Sequence, residues 1–115
     1  MHSRLNSFKY AFTGLKTALK DQPNFIIHLF LGSIAILMGT YFDIAQSEWL
    51  ILFLTIGFVI TIELTNTAIE EVVNSFTDQI HPSAKKAKDV AAGAVLVSSI
   101  TAVIIGLIIF LPYLY

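Results

Sequence analysis

Residues 49–74 read WLILFLTIGFVITIELTNTAIEEVVN. Residues 49–62 are apolar apart from Thr55, Gly57 and Thr61, and then Glu63, Asn66, Glu70, Glu71 and Asn74 arrive together. A helix needs ~20 apolar residues to cross a ~30 Å hydrocarbon core. At ~100° per residue Glu63 and Glu70 nearly superimpose, with Asn66 ~40° to one side and Asn74 ~40° to the other. Glu71 points elsewhere, and Ile62, Ala68, Ile69 and Val72 cover most of the remaining surface. The stretch therefore predicts a spanning helix with a ladder of Glu, Asn, Glu, Asn along one face. Glu63 lies ~21 Å along the axis from Trp49, still inside the core, and Glu70 lies ~31 Å along, near the boundary. An ionisable group at the depth of Glu63 costs several kcal/mol unless it is paired or hydrated, so it marks a functional site by default.

The rest of the chain fits a membrane setting. Of 115 residues, 56% are hydrophobic and 13% charged, and the mean hydropathy is +0.76. A soluble domain of this size must cover itself with charge. Two further apolar stretches, residues 25–42 and 90–113, join the middle one at about 49–73. His28 is the one acidic or basic side chain of the first, and the third has no charge at all. Between residues 4 and 20, Leu5, Phe8, Phe12, Leu15 and Leu19 recur at helical spacing, with Lys9, Lys16 and Lys20 off their face. That pattern predicts an amphipathic helix lying in the interface. Residues 21–24, Asp-Gln-Pro-Asn, end it; Pro23 lacks a donor and Asn24 is expected to cap the next helix. The expected fold is all-α: one membrane domain over 1–115, with an N-terminal surface helix and three transmembrane helices.

Orientation follows from the basic residues. Arg4, Lys9, Lys16 and Lys20 precede the first span, and Lys85, Lys86 and Lys88 lie between the second and third. These segments are expected to face the cytoplasm, with Tyr41, Trp49, Tyr113 and Tyr115 at the outer interface. The first dozen residues lack the apolar core and cleavage site of a secretory signal. There is no cysteine, which excludes disulfide and thiol chemistry, and a net charge of -1 gives no sign of nucleic acid. Ala94, Ser98, Ala102 and Gly106 recur every four residues, and Gly32, Ala35 and Gly39 do something similar. Such stripes let helix backbones approach in lipid. Three spans can hardly enclose a polar site alone, so a homo-oligomer is expected.

The loop from Thr77 to Asp89 adds polar groups at the Glu70 end of the span. Lys85 and Lys86 read as positive-inside residues. Lys88 and Asp89 head the third span, where a Lys suits a phosphate and an Asp suits a ribose or base. Carboxylates, Asn and Lys at one water–lipid boundary suit phosphoryl transfer, which needs hard oxygen ligands for Mg²⁺ and a base for the attacking hydroxyl. Neither G-x-x-x-x-G-K-[ST] nor G-x-G-x-x-G occurs. A proton- or cation-coupled transporter explains Glu63 as well, and stands level with a kinase on these residues alone. A purely structural assembly protein leaves the Glu–Asn ladder unexplained.

FKYAFTGLKTAL, PNFIIHL, EWL, ELTNTAIEEVVN and HPSAKKAKDVAAGAVL follow one another along most of the chain. In that order they resemble the small integral-membrane diacylglycerol kinases of bacteria, within them the undecaprenol kinase branch of Gram-positive organisms. The resemblance implies an ATP- and Mg²⁺-dependent lipid kinase of the bacterial cytoplasmic membrane. Its acceptor would be a lipid alcohol, undecaprenol or diacylglycerol, and its form a homotrimer with sites shared between subunits. It makes Glu63 the general base, Glu70 a metal ligand, and Asn66 a residue near the transferred phosphate. It also makes Tyr10, His81, Lys88 and Asp89 contacts of the nucleotide. Two positions depart from the family pattern. His28 stands where the Gram-negative enzymes have a second metal-binding Glu; as a metal ligand it suits Zn²⁺ or Mn²⁺ better than Mg²⁺, and contact with a phosphate or water, or a side chain merely satisfied near the interface, are the other readings. Asn74 stands where an Asp is usual, keeping the hydrogen bonding of a substrate-positioning residue without the charge.

Overall fold

A computed structural model describes residues 4–76 and 81–115. They form four helices: α1 Arg4–Asp21, α2 Pro23–Phe42, α3 Gln46–Phe76 and α4 Pro82–Leu114. The last three are long and apolar enough to cross a membrane. The expected surface helix and all three spans are present, and the acidic ladder lies on α3.

The ends of the elements differ from expectation for local reasons. Gln22, not Asn24, is the N-cap of α2, and Pro23 takes the first helical position. A proline is well placed there, because its missing N–H would have no intrahelical partner. The α2–α3 connection is shorter than the gap between the apolar runs. Asp43 adopts the left-handed conformation, φ 53°, and its N–H and that of Ile44 close on Thr40 and Gly39 carbonyls. Asp tolerates that conformation better than most residues, and the turn ends α2 while burying Ile44. Glu48 then reaches back to accept from the Ala45 N–H at 2.9 Å, half of a capping box for α3.

α4 also starts earlier than expected. Residues 82–89 are helical rather than loop, with Pro82 at the first position and His81 as N-cap. The first part of the expected polar loop, residues 77–80, lies outside the described residues.

α3 packs along both α2 and α4, while α2 and α4 touch little. The apolar core sits at one end, where Ile44, Leu52, Ile109 and Phe110 are buried and Phe42 and Trp49 pack on them. The Tyr113 hydroxyl donates to Glu48 and ties the two helices at that end. Glu63 and Glu70 lie toward the opposite end of α3. Most large apolar side chains on the outer surfaces are exposed, including Leu5 and Phe8 of α1 and Leu54 and Phe58 of α3. Such a surface suits hydrocarbon, or other protein, rather than water.

The small residues of α2 act as expected. A Cβ at Gly39 would lie 2.7 Å from Trp49 Cη2 and 3.1 Å from Ile44 Cδ1, and one at Gly32 would lie 3.1 Å from Ile56 Cγ2. The stripe on α4 is only half right. Ser98 is buried, but Ala94 is exposed, and a Cβ at Gly106 would meet nothing within 4 Å. A four-residue repeat drifts ~40° per step on a 3.6-residue helix, so Ala94 leaves the contact face, while Gly106 borders a gap between the helices. Ala91, Ser98 and Ile109 mark the face that is buried.

Gly39→Val is expected to destabilise the protein by about 1–3 kcal/mol, since neither Trp49 nor Ile44 can retreat from a packed core. Gly57, also in a spanning helix, has open space beside it, so Gly57→Ala is expected to be neutral or slightly stabilising. Thermal unfolding in detergent compares the two. Equal melting temperatures for both variants would contradict the close packing at Gly39.

Candidate active site

The site is built on one face of α3. Glu63 is 2% exposed. Its Oε2 lies 3.5 Å from His28 Nε2 on α2, and among the described residues it has no hydrogen-bond partner. The imidazole is therefore close enough for an ion pair but not aligned for a hydrogen bond. One turn further along α3, Asn66 Nδ2 donates to Glu70 Oε1 at 3.2 Å. Asn66 Oδ1 is buried without a partner among the described residues. A turn beyond Glu70, Asn74 Oδ1 accepts from Lys88 Nζ of α4 at 3.1 Å. The column thus runs His28–Glu63, Asn66–Glu70, Asn74–Lys88, from the buried middle of the bundle to the end where α4 begins.

The helix geometry explains the order. Glu63 and Glu70 are ~10 Å apart along the axis, and Asn66 stands between them. Antiparallel packing of α2 on α3 brings His28 level with Glu63, just as it brings Gly32 against Ile56. The antiparallel α4 brings Lys88 level with Asn74.

The other residues expected at the site are placed as follows. Asp89 turns to Lys85, with an ion pair of 2.6 Å, and both side chains are exposed. Lys85 is therefore more than a positive-inside residue; the Lys–Asp spacing of four on a helix was the available signal. His81 is exposed, and its Nδ1 accepts from the Ser83 N–H at 3.2 Å. Tyr10 is exposed on α1. Sequence reasoning did not anticipate the contact between His28 and Glu63, because nothing local connects residues on different helices.

Among the described residues no three His, Cys, Asp or Glu side chains converge as a metal cage. Glu70 and the unpartnered Asn66 oxygen, one turn apart on α3, nevertheless offer two hard oxygen donors. That set suits Mg²⁺ held by one carboxylate together with substrate phosphates, rather than by protein alone.

A family model for prokaryotic diacylglycerol kinase matches residues 9–110. The chain belongs to the prokaryotic diacylglycerol kinase family. It is 44% identical over 108 residues to undecaprenol kinase of Bacillus subtilis, covering 94% of this chain and 88% of that protein. It is 43% identical over 109 residues to a diacylglycerol kinase of Synechocystis, covering 94% of this chain and 62% of that protein. The Escherichia coli K12 diacylglycerol kinase is 28% identical over 95 residues, covering 83% and 78% of the two chains. As a diacylglycerol kinase family member the chain is an ATP-dependent lipid kinase of the membrane. That decides between the kinase and transporter readings of the α3 ladder.

Proposed function

We propose that the chain transfers the γ-phosphate of ATP, with Mg²⁺, to the hydroxyl of undecaprenol. The observation that carries the residue assignment is the succession of polar pairs along α3, from the buried Glu63 to the Asn74–Lys88 contact. Glu63 takes the proton of the lipid alcohol. The alcohol oxygen then bonds to the γ-phosphorus, the bond from that phosphorus to the β–γ bridging oxygen breaks, and ADP leaves. A base at this depth meets an alcohol that enters sideways from the bilayer, while the nucleotide approaches from the aqueous end of the column.

Glu70 and Asn66 hold the metal and orient the transferred phosphate. Bound Mg²⁺ with ATP neutralises charge on the phosphates. Lys88 provides a cation for a phosphate and is kept in place by Asn74. Tyr10, His81 and Asp89 line the nucleotide side. His28 faces Glu63, which supports giving it to that acid rather than to the metal. The reading also includes a homotrimer with shared sites, an N-terminus and nucleotide side facing the cytoplasm, and the bacterial cytoplasmic membrane as location. The positions of Arg4, Lys9, Lys16, Lys20, Lys85, Lys86 and Lys88 support that orientation. The exposed apolar surface supports assembly.

Undecaprenol is preferred to diacylglycerol because the relative sharing 44% of its residues carries that name. Side-by-side assays of the purified protein with Mg-ATP test the choice. A kcat/KM for undecaprenol about tenfold or more above that for diacylglycerol is expected, a difference that packing around a hydrocarbon chain can supply. The reverse preference would overturn the acceptor assignment and leave the kinase intact.

A further inference from the structure

Glu63 sits where a lone charge is costly. It is 2% exposed, and its Oε2 is buried with no hydrogen-bond partner among the described residues. A carboxylic acid in such surroundings tends to keep its proton, and a protonated acid is no base. His28 Nε2, 3.5 Å from that oxygen, is the one basic group within ion-pair range of Glu63 among the described residues. The imidazole also borders an apolar groove of about 290 Å³ between α2, α3 and α4, and of the residues lining it His28 alone is titratable. α3 and α4 line that groove with uncharged side chains, among them Thr55 and Ser99. α1 packs against α2 and carries Arg4, Lys9, Lys16, Lys20 and Asp21, but none of them makes an ion pair with His28 among the described residues. Glu70, two turns along α3 from Glu63, is held by Asn66. Apolar walls strengthen a charge interaction across them, so the state of this one imidazole weighs heavily on Glu63.

We infer that His28 is a positioning residue which, as imidazolium, keeps Glu63 in the carboxylate form that takes the alcohol's proton. The inference rests on the lipid kinase reading with Glu63 as base. The geometry chooses between two roles for the ring. Passing a proton on needs an aligned hydrogen bond, whereas a charge interaction needs only proximity. The pair is near without being aligned, so His28 acts by its charge. Before the reaction the pair holds one proton, on the imidazole. The proton of the alcohol moves to Glu63 as the alcohol oxygen bonds to the γ-phosphorus and ADP leaves. The pair then holds two protons, and one passes to water before the next turnover. The help is confined to neutral and acidic pH, where an imidazole carries a proton. That is also where a buried carboxyl most needs it.

The test measures kcat of the purified full chain from about pH 6 to about pH 9, the span over which an imidazole loses its charge. Mg-ATP is the donor, and the acceptor is whichever of undecaprenol and diacylglycerol the wild type phosphorylates faster. Wild type, His28→Gln, Glu63→Gln and the double variant are compared. Glutamine keeps a hydrogen-bonding side chain at position 28 but never a charge. At about pH 6.5 His28→Gln is expected to lose about 10- to 10³-fold, the range that an opposite charge at this distance commands. Toward pH ~9 the wild-type imidazole is neutral as well, so the two proteins converge to within about threefold. On the Glu63→Gln background the same substitution costs nothing further, because the charge has no base left to act on. A loss of equal size at every pH, no loss at any pH, or an added loss on the Glu63→Gln background overturns the inference. Wild-type turnover in Glu63→Gln itself removes the base, and the proposed mechanism falls together with this pairing.

Discussion

Glu63→Gln is expected to lower kcat by about 10²–10⁴-fold, the usual contribution of a positioned base, while the protein still assembles. Glutamine keeps the shape and hydrogen-bonding capacity of the side chain but cannot take a proton from the lipid hydroxyl. The substitution also removes a carboxylate that is 2% exposed and has no aligned partner among the described residues. Burying a charge without a hydrogen-bonding partner is expensive, and a neutral amide of the same shape avoids that cost. Melting temperature in detergent should therefore stay level or rise as turnover disappears. A structural Glu63 predicts the opposite pair of results, with normal turnover and lowered stability. Turnover and melting curves on the same preparation separate them.

Glu70→Gln is expected to have the next largest effect, of about 10²-fold on kcat/KM, together with a higher Mg²⁺ requirement. The amide still accepts from Asn66 Nδ2, so the local hydrogen bond survives. What is lost is the negative charge that a hard cation needs from its carboxylate ligand. Excess Mg²⁺ should restore part of the activity, because mass action refills a weakened site. An unchanged Mg²⁺ titration with the same loss of activity would move Glu70 from the metal to another role. Glu63→Gln serves as the contrast, since its loss should not respond to added Mg²⁺.

The shared face of Glu63 and Glu70 was legible because it depends only on helical spacing within one element. The three spans were legible because uninterrupted apolar runs of that length have few other uses. The ends were less so. Residues 21–24 do end α1, but α2 opens at Pro23 behind Gln22 rather than behind an Asn24 cap, and residues 82–89 belong to α4, which Pro82 and His81 start, rather than to a loop. Both differences arise at proline, which ends one helix and begins another equally well. The contact of His28 with Glu63 was not legible at all, since it is set by how α2 packs on α3. The α4 stripe shows the same limit in milder form: Ser98 faces the bundle, yet Ala94 at one end of the repeat is exposed.

The division of labour between the two acids is tested most directly by Mg-ATP binding to Glu63→Gln and Glu70→Gln, measured side by side by equilibrium binding. The Glu63 variant should bind within about threefold of wild type, because its carboxylate acts on the lipid. The Glu70 variant should bind about tenfold or more weakly, in line with the loss of a metal-site group. Loss of binding in the Glu63 variant with full binding in the Glu70 variant would contradict the account.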